Sequence, residues 1–140
     1  MLAVVLTGLA LGGSSCSDEQ LVAPTPGVAN QQVAVESFTG TLAKLGSRFY
    51  SFNVTQSGPI SIVLLSLVEG GTASTATVSI GLGVPRGTDC LATNTVTIGV
   101  GVAPQLSVSV DPLIYCARIA DVGNLTALSA DFAINITRPK

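Results

Sequence analysis

Residues 126–138, TALSADFAINITR, set Leu128, Ala130, Phe132, Ile134 and Ile136 at strictly alternate positions. A period of two gathers all five on one face of an extended chain, whereas a helix would scatter them around its circumference. The segment is therefore expected to be a strand with one buried face, and it needs an apolar layer to bury that face against.

Other segments repeat the pattern. VAVESFTGTL (33–42) alternates loosely and ends in the turn KLGS. SRFYSFNVTQ (47–56) separates Tyr50, Phe52 and Val54 from Phe49, Ser51, Asn53 and Thr55. ISIVLLSLV (60–68), apolar but for Ser61 and Ser66, is continuous enough to read as a core strand buried on both faces. EGGTAST (69–75) reads as a loop. TVSIGLGVP (77–85) reads as a strand whose glycines mark candidate bulges. CLATNTVTIGV (90–100) is a further strand with a break near Asn94, and QLSVSVD (105–111) aligns Leu106, Val108 and Val110. LIYCARIAD (113–121) follows, and the turn at Asp121–Asn124 is expected to close a hairpin, with Gly123 and Asn124 free to take positive φ. No segment has a helical period. About eight short strands separated by Gly, Pro and Asn turns make an all-β, antiparallel sandwich.

Composition narrows the chemistry. The 140 residues suffice for one domain, and only 10% are charged. The six cations, Lys44, Arg48, Arg86, Arg118, Arg138 and Lys140, are scattered, so no basic patch for nucleic acid forms. Histidine is absent, which removes the usual general base, the commonest metal ligand and every Ser-His or Cys-His nucleophile. Carboxylates remain, and Lys44, Tyr50 or Tyr115 could act as bases, but the balance points away from an enzyme. Val, Thr, Ser, Ala and Gly dominate, which suits strands whose outward faces carry hydroxyls rather than charges.

The first residues read as an address. MLAVVLTGLALGG is an apolar stretch too short to span a bilayer, and its length fits the core of a secretory signal. Cys16 follows the small residues Gly13, Ser14 and Ser15, as in a bacterial lipoprotein signal whose cysteine is acylated. A basic start and the usual apolar residue three positions before the cysteine are both missing. The competing readings are an ordinary cleaved signal and a spare thiol. Residues 1–16 are thus assigned to a signal, 17–32 to a flexible linker carrying two prolines, and 33–140 to the folded domain. Export to the cell surface, periplasm or medium is expected, with a lipid on Cys16 as the membrane tether.

Cys90 and Cys116 lie inside the domain. In an exported chain two such cysteines are more often paired than free, and the pairing would tie the edge carrying Cys90 to the penultimate strand. The competing reading is a reactive thiol. With no histidine, the helper nearest Cys116 is Arg118, two residues along the same strand and so on the same face.

The stretch SFTGTLAKLGSRFYSFNVTQSGPISIVLLSL resembles the opening of bacterial pre-peptidase C-terminal (PPC-like) domains. The matching residues are Gly40, Leu42, Gly46, Phe49, Tyr50, Phe52, Val54, Gly58, Ile60, Ile62 and Leu64. LIYCARIADVGNLTALSADFAINITRP resembles the same family's closing strands, so the likeness covers about residues 33–139. It implies a jelly-roll-like β-sandwich that serves exported enzymes as an accessory for secretion, attachment or adhesion, and that in some members binds calcium. This chain departs from the pattern in that no peptidase is expected ahead of the module within the 140 residues. Its domain acids, among them Asp89, Asp111, Asp121 and Asp131, are isolated in sequence.

The reading that follows is a non-enzymatic, exported surface protein, adhesive or structural, with no cofactor. One alternative is a subunit of an extracellular filament, self-associating through strand donation or sheet edges. Another is a calcium- or glycan-binding accessory module.

Overall fold

The structure, a computed structural model, describes residues 32–140. The signal-like stretch 1–16, Cys16 itself and all but the last residue of the linker lie outside the described residues.

Nine strands run in order: β1 (Val33–Ala43), β2 (Ser47–Val54), β3 (Gly58–Glu69), β4 (Thr72–Ala73), β5 (Val78–Arg86), β6 (Asp89–Ile98), β7 (Leu106–Val110), β8 (Leu113–Ala120) and β9 (Ser129–Pro139). The five-stranded sheet has the order β1-β9-β3-β4, with β7 also pairing β3, and the four-stranded sheet runs β2-β8-β5-β6. Every pairing is antiparallel. With the two-residue β4 set aside, the first strand pairs with the last, β2 with β8, β3 with β7 and β5 with β6. That nesting is one long antiparallel hairpin wrapped into two layers, which is the jelly roll.

The alternation seen in sequence determines what the layers bury. Ile60, Ile62 and Leu64 of β3 and Phe132, Ile134 and Ile136 of β9 face Ile80 and Leu82 of β5 and Ile119 of β8, all buried. Each such side chain contributes about 1.5–3 kcal/mol by leaving water. An aromatic chain joins the sheets at one side. Phe132 meets Phe38 edge-on at 5.0 Å, Phe38 stacks on Tyr50 at 5.5 Å, and Tyr50 on Phe52 at 6.3 Å.

Three expectations are corrected. β3 is not buried on both faces: a bulge between Leu64 and Ser66 throws Leu65 outward, 40% exposed. A two-layered sandwich offers each sheet a single inner face, so a mostly apolar run does not imply burial on two sides. Leu128 is 86% exposed and precedes β9, because the chain is still rounding a loop there. Residues 121–124 do not close a hairpin, since β8 and β9 belong to different sheets and the loop crosses between them. Gly123 takes φ 95°, whereas Asn124 does not enter the positive region.

The glycines of β5 do mark an irregularity. The register of β5 against β6 shifts between Leu82 and Gly83, leaving Thr93 as the extra residue. At Gly83 a Cβ would lie 1.8 Å from the carbonyl oxygen of Leu91. Only glycine lets β6 fold that closely over β5.

Candidate functional site

The reactive-looking stretch Tyr115–Thr126 divides between β8 and the loop that follows it. Cys116 lies on the outer face of the four-stranded sheet, opposite Gly83 of β5. The close approach of β6 over Gly83 brings Cys90 across, and the two cysteines form a disulfide with S–S 2.01 Å and Cα–Cα 5.9 Å. Both sulfurs are thereby consumed, and the bond ties edge strand β6 to β8 past the intervening β5. Arg118, two residues along, is half-buried opposite Phe49 and Gly81. Its Nε is buried without a hydrogen-bond partner. Among the described residues the ion pair is a different one, Glu36 with Arg138.

Asp121 organises the corner. Its Oδ1 accepts from the backbone N–H groups of Gly123 (3.0 Å), Asn124 (2.9 Å) and Leu125 (3.2 Å), and its Oδ2 accepts from that of Leu45 at 2.8 Å. Burial raises the carboxyl's pKa, but these four donors outweigh it, and the net shift is downward. One side chain thus folds its own loop and clamps the β1–β2 turn, where Leu45 sits at φ 59°. That φ is a strained conformation for a branched side chain.

Beside this corner lies a cleft of about 310 Å³, lined by Glu69, Thr72–Ala76, Asn124 and Thr126. The β3–β4 hairpin forms one wall; Gly70 (φ 58°) and Gly71 (φ 80°) give it a two-residue turn with both central residues at positive φ. Asn124 of the facing loop donates to Thr77 Oγ1 at 2.7 Å. Glu69 Oε1 accepts from Thr126 N (2.7 Å), Ala127 N (2.8 Å) and Thr126 Oγ1 (3.2 Å), and Oε2 accepts from the Ser74 hydroxyl. The Ser74 bond, followed by the backbone donors, holds this carboxyl below its ordinary pKa. Glu69 is therefore an ionised clamp whose oxygens are already occupied. Among the described residues no second titratable group lines the cleft, so it holds hydroxyls and an amide but no acid–base pair.

A third constellation spans the open side of the sandwich. Glu36 of β1 accepts from Tyr50 Oη at 2.7 Å and from Arg138 Nε at 2.7 Å, with Nη2 also in contact. Burial raises the Glu36 pKa, while the bonds from Tyr50 and Arg138 and the arginine charge lower it by more. The Tyr50 hydroxyl shifts the opposite way, chiefly because it donates to Glu36, so it stays protonated at neutral pH. Tyr115, the other tyrosine considered as a base, donates to the Asp111 carbonyl at 2.9 Å.

The remaining acids stay apart. Asp89 caps the Cys90 N–H at 2.7 Å, Asp111 accepts from Ser57 at 2.9 Å, and Asp131 from Thr41 at 2.7 Å. No three His, Cys, Asp or Glu side chains come together among the described residues. Sequence reading missed Glu69 and the Glu36 clasp. Gly70-Gly71 was the available signal for the first, since paired glycines between apolar segments announce a tight hairpin. Glu36 and Arg138 are 102 residues apart, and no local signal joins them.

The fold and these clamps define a disulfide-tied, antiparallel β-sandwich. No family model and no curated protein matches the chain. Among solved structures it is similar to the crystal structure of the Yersinia pseudotuberculosis-derived mitogen. That match has a TM-score of 0.51 and 15% identity, over 75% of this chain and 86% of the other. At that identity the likeness speaks for the fold alone.

Proposed function

We propose that the chain is a non-enzymatic, exported β-sandwich of PPC-like kind, acting by adhesion or as a structural layer and tethered through a lipid on Cys16. One observation carries the reading: all six described carboxylates, Glu36, Glu69, Asp89, Asp111, Asp121 and Asp131, accept hydrogen bonds from the protein itself. Side chains that a catalytic or calcium site would point at a ligand are spent on turns, caps and strand pairs.

Two further features support it. The Cys90–Cys116 bond suits an oxidising compartment. The outer face of the five-stranded sheet presents Ser37, Thr39, Thr41, Ser61, Ser107, Asn135 and Thr137 beside the exposed Val33, Val35 and Leu65, with Asp131 its one acid among the paired rows. A face of hydroxyls and aliphatic side chains with so little charge suits broad surface contact better than selective recognition of a charged ligand. The test is cell fractionation with thiol trapping. Recovery in the envelope or medium with Cys90 and Cys116 oxidised is expected, and a cytoplasmic protein with both thiols reduced would overturn the proposal.

A further inference from the structure

We infer that the free edge of β1 pairs with the β1 of a second copy, antiparallel and about a two-fold axis at Ser37, to make a closed dimer. Export and adhesion do not enter: what pairs is the backbone edge of β1, not the side chains of its outer face.

Backbone parity carries it. β1 pairs with β9 without a register shift from Val33↔Pro139 to Ala43↔Ser129. The backbone bonds Lys140 N→Gln32 O and Lys44 N→Leu128 O flank that ladder. Both β1 residues are even-numbered, so the even residues of β1 face β9, and the odd ones direct N–H and C=O away from the sheet. Ala43 O is taken by Gly46 N. Val33, Val35, Ser37, Thr39 and Thr41 are left, all exposed, with no backbone partner among the described residues.

Edges of this length are normally blunted by charge, proline, a bulge or brevity. The other edges show such devices. β6 carries its bulge at Thr93 and starts at Asp89, β7 has five residues and stops before Asp111-Pro112, and β2 carries the exposed Arg48. The free row of β1 has none of them. The one charge on this strand, Glu36, points inward and is already paired with Arg138 and Tyr50, so an added strand meets a neutralised carboxylate.

The row is also self-complementary. With the axis at Ser37, Val33 faces Thr41 of the second copy, Val35 faces Thr39 and Ser37 faces its own counterpart. All five free residues then sit at hydrogen-bonded positions, and the two outer sheets become one continuous sheet. An isologous edge of this kind closes on itself and does not propagate.

Sedimentation of the full chain from about 1 to 500 µM tests this. Wild type is expected to dimerise. Val35→Lys with Thr39→Lys sets lysine directly opposite lysine at two pairs across the axis, so this variant should be monomeric. Val35→Glu with Thr39→Glu should be monomeric too, and mixing the two variants should restore a dimer. The substituted side chains are exposed in the single copy, so each variant should melt within a few degrees of wild type. A wild type that stays monomeric throughout, as it would if its own preceding segment covered β1, overturns the inference. So does a dimer that survives either double substitution, or variants that fail to recombine.

Discussion

Replacing Asp121 by Asn removes the charge at the corner and little else. The amide oxygen can keep the three donors Gly123, Asn124 and Leu125, which places the NH₂ where Oδ2 now accepts from Leu45 N at 2.8 Å. One charge-assisted bond becomes a donor facing a donor, and the remaining three weaken. A bond to a charged acceptor is worth about 1.5–3 kcal/mol, so the variant should lose about that much. For a domain of this size the corresponding drop in Tm is roughly 6–20 °C. The pH dependence tests the cause. Asp121 has its folded-state pKa depressed, so its contribution is full above the ordinary Asp value of about 3.9 and is lost as pH falls through the folded value. Urea unfolding of both proteins at neutral pH and near pH 2.5 should therefore show the difference shrinking in acid. Glu36 and Glu69 also have lowered pKa values, but they destabilise both proteins alike in acid and cancel in the comparison. Equal stabilities at neutral pH, or a gap of undiminished size in acid, would refute the clamp.

Gly83→Ala should cost about 3 kcal/mol or more, or prevent folding, because the new Cβ meets the Leu91 carbonyl at 1.8 Å; chemical denaturation reads this directly. Leu45→Asn should stabilise the protein by about 0.5–1 kcal/mol, since Asn tolerates the φ of 59° and the replaced side chain is largely exposed; a lowered Tm would contradict it. Replacing Cys90 and Cys116 together by Ala should cost about 3–4 kcal/mol through the 26-residue loop they close, measured by urea midpoint against the oxidised protein.

Much of the fold was legible because burial in a sandwich leaves a period-two trace. Ala130, Phe132, Ile134 and Ile136 are the buried row of β9, and Phe52 and Val54 that of β2. Gly81 and Gly83 were readable as irregularities because a glycine inside a strand implies a close approach. The mostly apolar run 60–68 misled, because an apolar side chain can stay half-exposed on an outer face and a bulge can reverse the alternation at Leu65. The Cys90–Cys116 pairing could be argued from residue type and compartment, and the bulge from the β5 glycines, but not that this bulge is what brings the two cysteines within reach. The turn KLGS shows the limit most plainly. The turn itself was legible, but not that Leu45, beside a glycine, takes the positive φ. The cause lies 76 positions away, in a carboxylate that accepts the Leu45 N–H. The long-range halves of the clamps at Glu69, Glu36 and Asp121 are all of this kind: Thr126 and Ala127, Arg138, and Leu45 are distant partners that leave no pattern in sequence. The bonds of Asp121 to Gly123, Asn124 and Leu125, by contrast, belong to the turn that was legible there.

The proposed exported, disulfide-tied module held at its N-terminus is tested most directly by the intact mass of the native protein. The expected mass is that of a chain beginning at Cys16, increased by lipid and two hydrogens lighter for the Cys90–Cys116 bond. A chain that retains Met1 and titrates three free thiols would contradict it.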